Sequence, residues 1–291
     1  MEWIEYKVLT DPAYGEEVAE LFHRMESGGV VLEEEAQLQP GSSCLWIKAY
    51  FPVGDDHQEE VLVNLQALER DFGITSRLFT NNMRNEDWEN SWKEFFHGFR
   101  VGKRIVIRPS WEEVVSNEDD VVVCIDPDKA FGTGQHTTTR FCLELLEWEL
   151  IPNSRVLDAG CGSGILSIAA ALLGAGKVFG IDNDEMAVEI ARENIAINDV
   201  EGQVGIVWGD LEGLEATAEV DFDLIVANLT DGLFMDLDEV LYNALMDGGK
   251  LIASGIQRER WIPLRDKLLA AGFTLKTTME EGEWLAAVLE R

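Results

Sequence analysis

Two glycine-rich segments in the middle of the chain contain the residues best suited to chemistry. The segment AFGTGQHTTT, residues 130–139, surrounds one histidine with glycines and threonines. The segment VLDAGCGSG, residues 156–164, is an apolar strand that runs into glycines and then opens a helix. In an open α/β sheet such a turn lies at the carboxyl ends of the strands, where ligands bind. The second segment therefore predicts a ligand cradle.

The glycine spacing of this cradle discriminates between ligands. Gly160 and Gly162 allow a ligand close to the backbone, and the N–H groups of the following helix turn could bind a carboxylate. A dinucleotide site requires G-x-G-x-x-G, but its sixth position is Ile165 here and the third glycine comes one residue early, at Gly164. This shift disfavours a pyrophosphate and therefore an NAD-dependent oxidoreductase.

Acidic residues end the next two predicted strands. Asp182 ends KVFGID, where one carboxylate can accept hydrogen bonds from both ribose hydroxyls. It could instead cap the helix predicted at 184–198, a role also open to Asp184. Asp210 ends VGIVWGD and could accept a hydrogen bond from an adenine amino group, or could be a turn residue.

Asn228 ends the apolar strand FDLIVAN. Its side-chain oxygen and the neighbouring backbone could hold an attacking amine, or it could cap a helix starting near Asp231. Together, the cradle, the acid after the second strand and the polar residue after the fourth are typical of class I S-adenosylmethionine-dependent methyltransferases. The cosubstrate expected at this site is therefore S-adenosyl-L-methionine, with no metal.

The first 85 residues predict a separate domain. The order of elements is β-α-β-β-α-β, which is the split βαβ pattern of a ferredoxin-like α+β domain. No catalytic cluster occurs in it, so we interpret residues 1–85 as a substrate-recognition domain. Strands are expected at 3–10, 29–35, 45–51 and 76–82, and helices at 15–26 and 57–72.

Residues 86–120 are expected to form an aromatic-rich connector, with RIVIRPSW at 104–111 as a strand or docking segment. Its aromatic residues could pack the two domains together or form a binding surface. They are Trp88, Trp92, Phe95, Phe96 and Phe99.

Residues 121–291 alternate strands with helices, which predicts an α/β, Rossmann-like domain whose sheet is mostly parallel and covered on both faces. A short turn joins the last two strands, so they should form an antiparallel hairpin at the edge of a seven-stranded sheet. The strand candidates begin with VVVCID, and helices are expected at 137–149, 164–173, 184–198, 230–246 and 258–271.

The segment DPDKAFGTGQHTTT, with VLDAGCGSGILS, FGIDND, VANLT and EEGEW, resembles the bacterial ribosomal protein L11 lysine methyltransferase family. Every fixed position of that family's D-P-x-x-A-F-G-T-G-x-H-x-T-T pattern is kept between Asp126 and Thr139. The resemblance implies a small N-terminal recognition domain and a linker ending near Pro109, Ser110 and Trp111. It also implies a threonine-rich loop that folds over the cofactor.

The resemblance implies methyl transfer to lysine ε-amino and/or N-terminal α-amino groups of ribosomal protein L11. Cofactor-binding roles are implied for Thr139, Gly160, Asp182 and Asn228. Alternative acceptors are another protein lysine or a small-molecule amine, and a non-catalytic cofactor-binding module is a further alternative.

Two residues of the threonine-rich loop have open roles. His136 is a candidate general base, or a structural group that only makes hydrogen bonds. Phe131 could pack on the cofactor or belong to the core. Thr137 or Thr138 could cap the helix that follows.

The chain carries a formal net charge of −32. This repels phosphates, so no direct nucleic-acid partner is expected. The excess acid either serves solubility or attracts a basic partner, namely the basic ribosomal protein of the large subunit that the resemblance implies. The sequence shows neither a signal peptide nor an apolar run of membrane-spanning length. We therefore expect a cytoplasmic monomer without membrane contact.

Overall fold

The structure is a computed structural model that describes residues 2–11, 14–25, 27, 30–34, 45–52, 57–72, 76–84, 97–126, 134–211 and 221–291. The chain divides into two compact units, Met1–His97 and Gly98–Arg291.

The first unit contains a four-stranded antiparallel sheet with the strand order β2-β3-β1-β4 and two helices. Alternate residues of the central strands, such as Val8 and Ile47, point to the core that α1 covers with Phe22, as expected for strands with one face buried. The ferredoxin-like prediction is therefore confirmed. The elements are β1 (Glu2–Thr10), α1 (Gly15–Arg24), β2 (Val30–Glu34), β3 (Leu45–Pro52), α2 (Gln58–Phe72) and β4 (Arg77–Arg84).

A small three-stranded sheet begins the second unit and departs from the boundaries drawn on the sequence. Its strands are β5 (Phe99–Val101), β6 (Ile105–Arg108) and β7 (Val121–Cys124). The strand VVVC pairs in parallel with β6 and takes no part in the large sheet. Residues from Gly98 onward, predicted as part of a connector at 86–120, lie in the second unit, where β6 pairs with both β5 and β7 and their apolar side chains join the core.

The large sheet has seven strands in the order β10-β9-β8-β11-β12-β14-β13. The first five are parallel, whereas β14 is antiparallel to both of its neighbours. This confirms the predicted mostly parallel sheet with a C-terminal hairpin. The strands are β8 (Arg155–Ala159), β9 (Lys177–Asp182), β10 (Val204–Trp208), β11 (Phe222–Asn228), β12 (Leu245–Gln257), β13 (Thr274–Glu281) and β14 (Trp284–Glu290).

Helices cover both faces of the large sheet, as a parallel sheet requires. Side chains of α3, α4 and α5 share one apolar cluster with the small sheet, and those of α6 and α7 form the cluster on the other face. The five helices are α3 (Thr137–Glu149), α4 (Ile165–Leu172), α5 (Glu185–Ile197), α6 (Asp231–Ala244) and α7 (Trp261–Ala271). Among the described residues, no helix combines the length and apolar character needed to cross a membrane.

Candidate functional site

The strand register brings the predicted site residues to one edge of the large sheet. Asp182 of β9 is level with Trp208 of β10, and Asn228 of β11 is level with Ser254 of β12. Ala159, the last residue of β8, is level with the residues just before Asp182 and Asn228. Neighbouring strands lie about 4.8 Å apart, so the strand ends form one continuous row.

The turn after β8 forms the predicted cradle, and its three glycines leave the backbone uncovered by side chains. Gly160, Gly162 and Gly164 have φ values of +75°, +50° and +79°, in the region that glycine occupies without strain. A Cβ on Gly160 would lie 2.6 Å from a methyl carbon of Leu229, and one on Gly164 would lie 3.1 Å from the Cβ of Ala191. Glycine is therefore required here both for conformation and for space.

Asp182 joins the cradle to the start of α5. Its Oδ2 accepts a hydrogen bond from the Gly162 N–H at 2.8 Å, and its Oδ1 accepts one from the Asp184 N–H at 3.0 Å. The cap of α5 is Asp184, which accepts from the Met186 N–H at 2.9 Å. The helix-capping role considered for Asp182 therefore belongs to Asp184. Because each carboxylate oxygen has two lone pairs, Asp182 keeps acceptor capacity.

Asp210 lies just beyond the end of β10 with an exposed side chain. The preceding residue, Gly209, donates its N–H to the carbonyl of Asp182 at 2.9 Å. The exposed indole of Trp208 donates to the carbonyl of Asn183 at 3.0 Å. These hydrogen bonds join the strand ends of β9 and β10, and Asp210 directly follows the residue that bonds to Asp182.

Asn228 and Thr139 meet although 89 residues separate them in sequence. The Asn228 Nδ2 donates to the Thr139 Oγ1 at 3.3 Å, and Thr139 is 1% exposed. The residue at the cap of α6 is Thr230, so Asn228 does not cap that helix. The structure thus brings together two of the predicted cofactor-binding residues.

Ser254 and Gly255, which the sequence analysis did not single out, hold this pair in place. The fully buried Ser254 donates its hydroxyl to the Thr138 carbonyl at 2.9 Å and accepts the Leu229 N–H on its own carbonyl at 3.0 Å. Gly255 has φ +83°, and a Cβ there would lie 2.4 Å from the Leu229 carbonyl oxygen. The available signal was the polar Ser-Gly step that interrupts the apolar strand LIASGI.

His136 is the cap of α3, so the expectation that Thr137 or Thr138 caps it is wrong; both lie inside the helix. The His136 Nδ1 lies 2.7 Å from the Thr138 Oγ1 and accepts the Thr138 N–H at 3.4 Å. Its ring packs edge-on against Trp284 of β14, with ring centroids 5.2 Å apart. These contacts fix the start of α3 against the C-terminal hairpin.

The threonine-rich loop is described only at its two ends, and Phe131 lies outside the described residues. Before the loop, Asp126 accepts hydrogen bonds from both the N–H and the hydroxyl of Ser110, each at 2.7 Å. After it, Gly134 has φ +87°, and a Cβ there would lie 2.9 Å from Ile165 and 3.3 Å from the ring of Phe99. Ser110, just after β6, therefore holds the start of the loop, and Phe99 of β5 packs against its end.

Asp158, within the cradle segment, is a further buried acid that the sequence analysis did not single out. It is fully buried, and its Oδ2 accepts the Ser167 hydroxyl at 2.6 Å. Its Oδ1 is one of few buried side-chain polar atoms of the described residues without a hydrogen-bond partner. Burial raises the pKa of this carboxyl to about 7. An unsatisfied buried oxygen two residues before the first glycine of the cradle fits a polar ligand group.

Among the side chains that the structure describes, no three His, Cys, Asp or Glu residues cluster as metal ligands. The described cysteines, Cys124, Cys142 and Cys161, are buried free thiols. Burial raises the pKa of the Cys142 and Cys161 thiols far above the ordinary value, so neither is suited to act as a nucleophile.

Comparison with known proteins gives a consistent result. Residues 2–291 match the family described as "Ribosomal protein L11 methyltransferase (PrmA)". A protein of that name from Pelotomaculum thermopropionicum is 39% identical, with 98% of each chain covered, and one from Syntrophomonas wolfei is 35% identical, with 100% of each covered. The crystal structure of a ribosomal protein L11 methylase from Lactobacillus delbrueckii subsp. bulgaricus superposes with a TM-score of 0.61 at 29% identity. That match covers 67% of this chain and 98% of the other.

Proposed function

The chain belongs to the ribosomal protein L11 methyltransferase family, and from that premise we propose that it methylates amino groups of ribosomal protein L11 with S-adenosyl-L-methionine as donor. The acceptors are lysine ε-amino and/or N-terminal α-amino groups. The observation that carries the proposal is the alignment of the glycine cradle, Asp182 and the Asn228–Thr139 pair along one sheet edge.

The residues of this edge fit the proposed donor. The cradle backbone is bare at Gly160 and Gly164, where a side chain would collide with Leu229 or Ala191. Asp182 keeps lone pairs for the two ribose hydroxyls, and Asp210, just after the next strand of the sheet, supplies an exposed carboxylate for an adenine amino group. The unsatisfied Oδ1 of Asp158 supplies an acceptor below the cradle. When bound, S-adenosylmethionine supplies an electrophilic methyl group on a sulfonium centre.

The residues of the Asn228–Thr139 pair position the acceptor amine. The Nδ2 of Asn228 is engaged by Thr139, which directs its side-chain oxygen to act as a hydrogen-bond acceptor for an N–H of the amine. Holding the nitrogen in line with the methyl group contributes to the barrier reduction that alignment gives, up to about 7–11 kcal/mol. The Ser254–Gly255 corner keeps this geometry because it fixes both the strand end and the start of α3.

The amine must lose a proton before it can attack. A lysine with pKa near 10.4 requires about 4–5 kcal/mol for deprotonation at pH 7. Excluding water from the channel lowers that pKa, because burial disfavours the charged form. We assign His136 a structural role rather than that of general base, because its Nδ1 is engaged with Thr138 and its ring packs on Trp284.

The partner that fits this chain is a basic protein. With 55 acidic against 23 basic residues, the surface field attracts a positively charged substrate and repels nucleic acid. We propose that the protein acts as a cytoplasmic monomer, with the ferredoxin-like unit recognising the substrate.

The test is mass spectrometry of purified large-subunit ribosomal proteins incubated with this protein and isotopically labelled S-adenosylmethionine. We expect a series of methyl additions on L11 and none on the other proteins. Labelling of a different protein would move the assignment to another protein lysine, labelling of an amine in a metabolite extract would make the acceptor a small molecule, and binding without any transfer would make the chain a cofactor-binding module.

A further inference from the structure

Asn194 of α5 is a polar side chain on the buried face of its helix. Its neighbours on that face, Val188, Ala191 and Ile195, belong to the apolar cluster, and Asn194 itself is 2% exposed. A buried amide is stable in such surroundings only when its polar atoms are hydrogen-bonded. The partners of Asn194 therefore indicate which parts of the fold this side chain holds together.

The first partner is the glycine cradle. The Asn194 Nδ2 donates a buried hydrogen bond to the Ser163 carbonyl at 2.9 Å. Ser163 lies between two glycines of positive φ, and glycine has more conformational freedom than any other residue. The shape of this turn therefore depends on its hydrogen bonds. Asp182 fixes the N–H of Gly162, and Asn194 fixes the carbonyl of the next residue.

The second partner is the start of the threonine-rich loop. The Asn194 Oδ1 accepts the Asp126 N–H at 3.4 Å. The Asp126 carboxylate in turn accepts the N–H and the hydroxyl of Ser110, each at 2.7 Å. One buried amide group thus contacts the backbone of both the cradle and the start of the loop.

Asn198, the residue that follows α5, has a different task and provides the comparison. Its Oδ1 accepts the Cys124 N–H at 2.8 Å, and its Nδ2 donates to the Cys124 carbonyl at 2.7 Å. These two bonds dock the end of α5 on the end of β7, and neither involves the cradle. The docking of the helix therefore has an amide of its own, separate from the one that reaches Ser163.

We propose that Asn194 is a positioning residue for S-adenosylmethionine, which holds the cradle turn in its donor-binding conformation and the start of the loop next to it. The inference rests on the proposed function and deepens it, because it concerns the donor site of that reaction. A turn that is already ordered binds its ligand without the entropic cost of ordering. Loss of Asn194 should therefore weaken donor binding without changing methyl transfer from bound donor.

The test is calorimetric titration of S-adenosylmethionine into a folded Asn194→Ala variant, together with steady-state methylation of L11. We expect the Kd for the donor to rise about five- to thirtyfold, the effect of one lost buried hydrogen bond. The KM for the donor should rise in parallel, whereas kcat at saturating donor and the KM for L11 should stay at the parent values. If Asn194→Ala does not fold, Asn194→Ser takes its place with the same rise expected, because its hydroxyl is one bond too short to reach Ser163.

Asn198→Ala is the matched control, because it removes an amide of the same kind from the same end of α5. It should lower the Tm but keep the parent Kd for the donor. An unchanged Kd in the Asn194 variant would overturn the proposal, and so would an equal rise in both variants, which would indicate only a loosened helix. Failure of the parent protein to bind the donor would instead contradict the proposed function, so the two failures are distinguishable.

Discussion

The hydrogen bond between Asn228 and Thr139 links the end of β11 with the first turn of α3. An Asn228→Ala variant removes both this bond and the amide oxygen that would hold the amine. We expect kcat to fall about 100- to 1,000-fold, the usual loss for one preorganised polar group. Binding of S-adenosylmethionine, measured by calorimetry, should persist in part. Asn243→Ala, at an exposed position of α6, is the control. Full activity in Asn228→Ala would remove this residue from the mechanism.

Asp158 should make stability depend on pH. Burial raises its pKa to about 7 from the ordinary value of 3.8, so the folded protein holds a proton between these values that the unfolded chain releases. The free energy of unfolding should therefore decrease as pH rises through this window, by up to about 1.4 kcal/mol per pH unit, and level off above it.

An Asp158→Asn variant should lose that part of the pH dependence, because the amide does not titrate. Urea unfolding at several pH values between 5 and 8 measures the slope. Asp236→Asn, at an exposed position of α6, should keep the slope of the parent. Parallel curves for the parent and Asp158→Asn would show that this carboxyl is not the group responsible.

At the scale of elements, the corner at Ser254–Gly255 of β12 decides how closely β11, β12 and α3 approach. A Gly255→Ala variant meets two costs, the positive φ and the 2.4 Å approach of its Cβ to the Leu229 carbonyl oxygen. We expect a loss of about 2 kcal/mol or more in the free energy of unfolding. Activity should fall as well, since the Asn228 Oδ1 lies 3.0 Å from the same Cβ position.

Gly202→Ala gives the matched comparison for that variant. A Cβ at Gly202 meets nothing within 4 Å, so the free energy of unfolding should change little. Denaturation of both variants in urea measures the two effects. Equal stability in the two alanine variants would contradict the close packing of the corner.

The local pattern of apolar residues was sufficient to predict most helices and strands, but it did not predict which strands pair with each other. The helix predicted at 137–149 is α3 at the same bounds, because its apolar residues recur at helical spacing. In contrast, the segment VVVCID has the pattern of one more strand of the large sheet, but it forms β7, which pairs with β6 in the small sheet. The pattern of apolar residues in a strand indicates that the strand is buried, but it does not specify which other strand it pairs with.

At the scale of the whole molecule, a methyl donor that binds the second unit only when this unit is folded should stabilise its folded state. S-adenosylmethionine at 100 times its Kd should add about 2.7 kcal/mol to the free energy of unfolding of this unit. Differential scanning calorimetry should show the corresponding rise in Tm. NAD at the same concentration should give no shift, because the cradle has Ile165 where a dinucleotide site needs glycine. A shift with NAD and none with S-adenosylmethionine would reverse the assignment of the cradle.

The sequence by itself determined the order and type of most elements in the first unit and in the large sheet, and the strand ends from which Asp182, Asp210 and Asn228 emerge. These follow from residue spacing, which short-range geometry fixes. Only the tertiary structure decided that His136 caps α3, that Asp158 keeps an unsatisfied oxygen and that Asn228 bonds to Thr139. Each of these depends on contacts or burial that arise only when the chain packs. The fold-back of the segment after β6 likewise depends on the hydrogen bonds that Arg108 donates to the carbonyls of Pro109 and Glu112, which residue spacing does not encode.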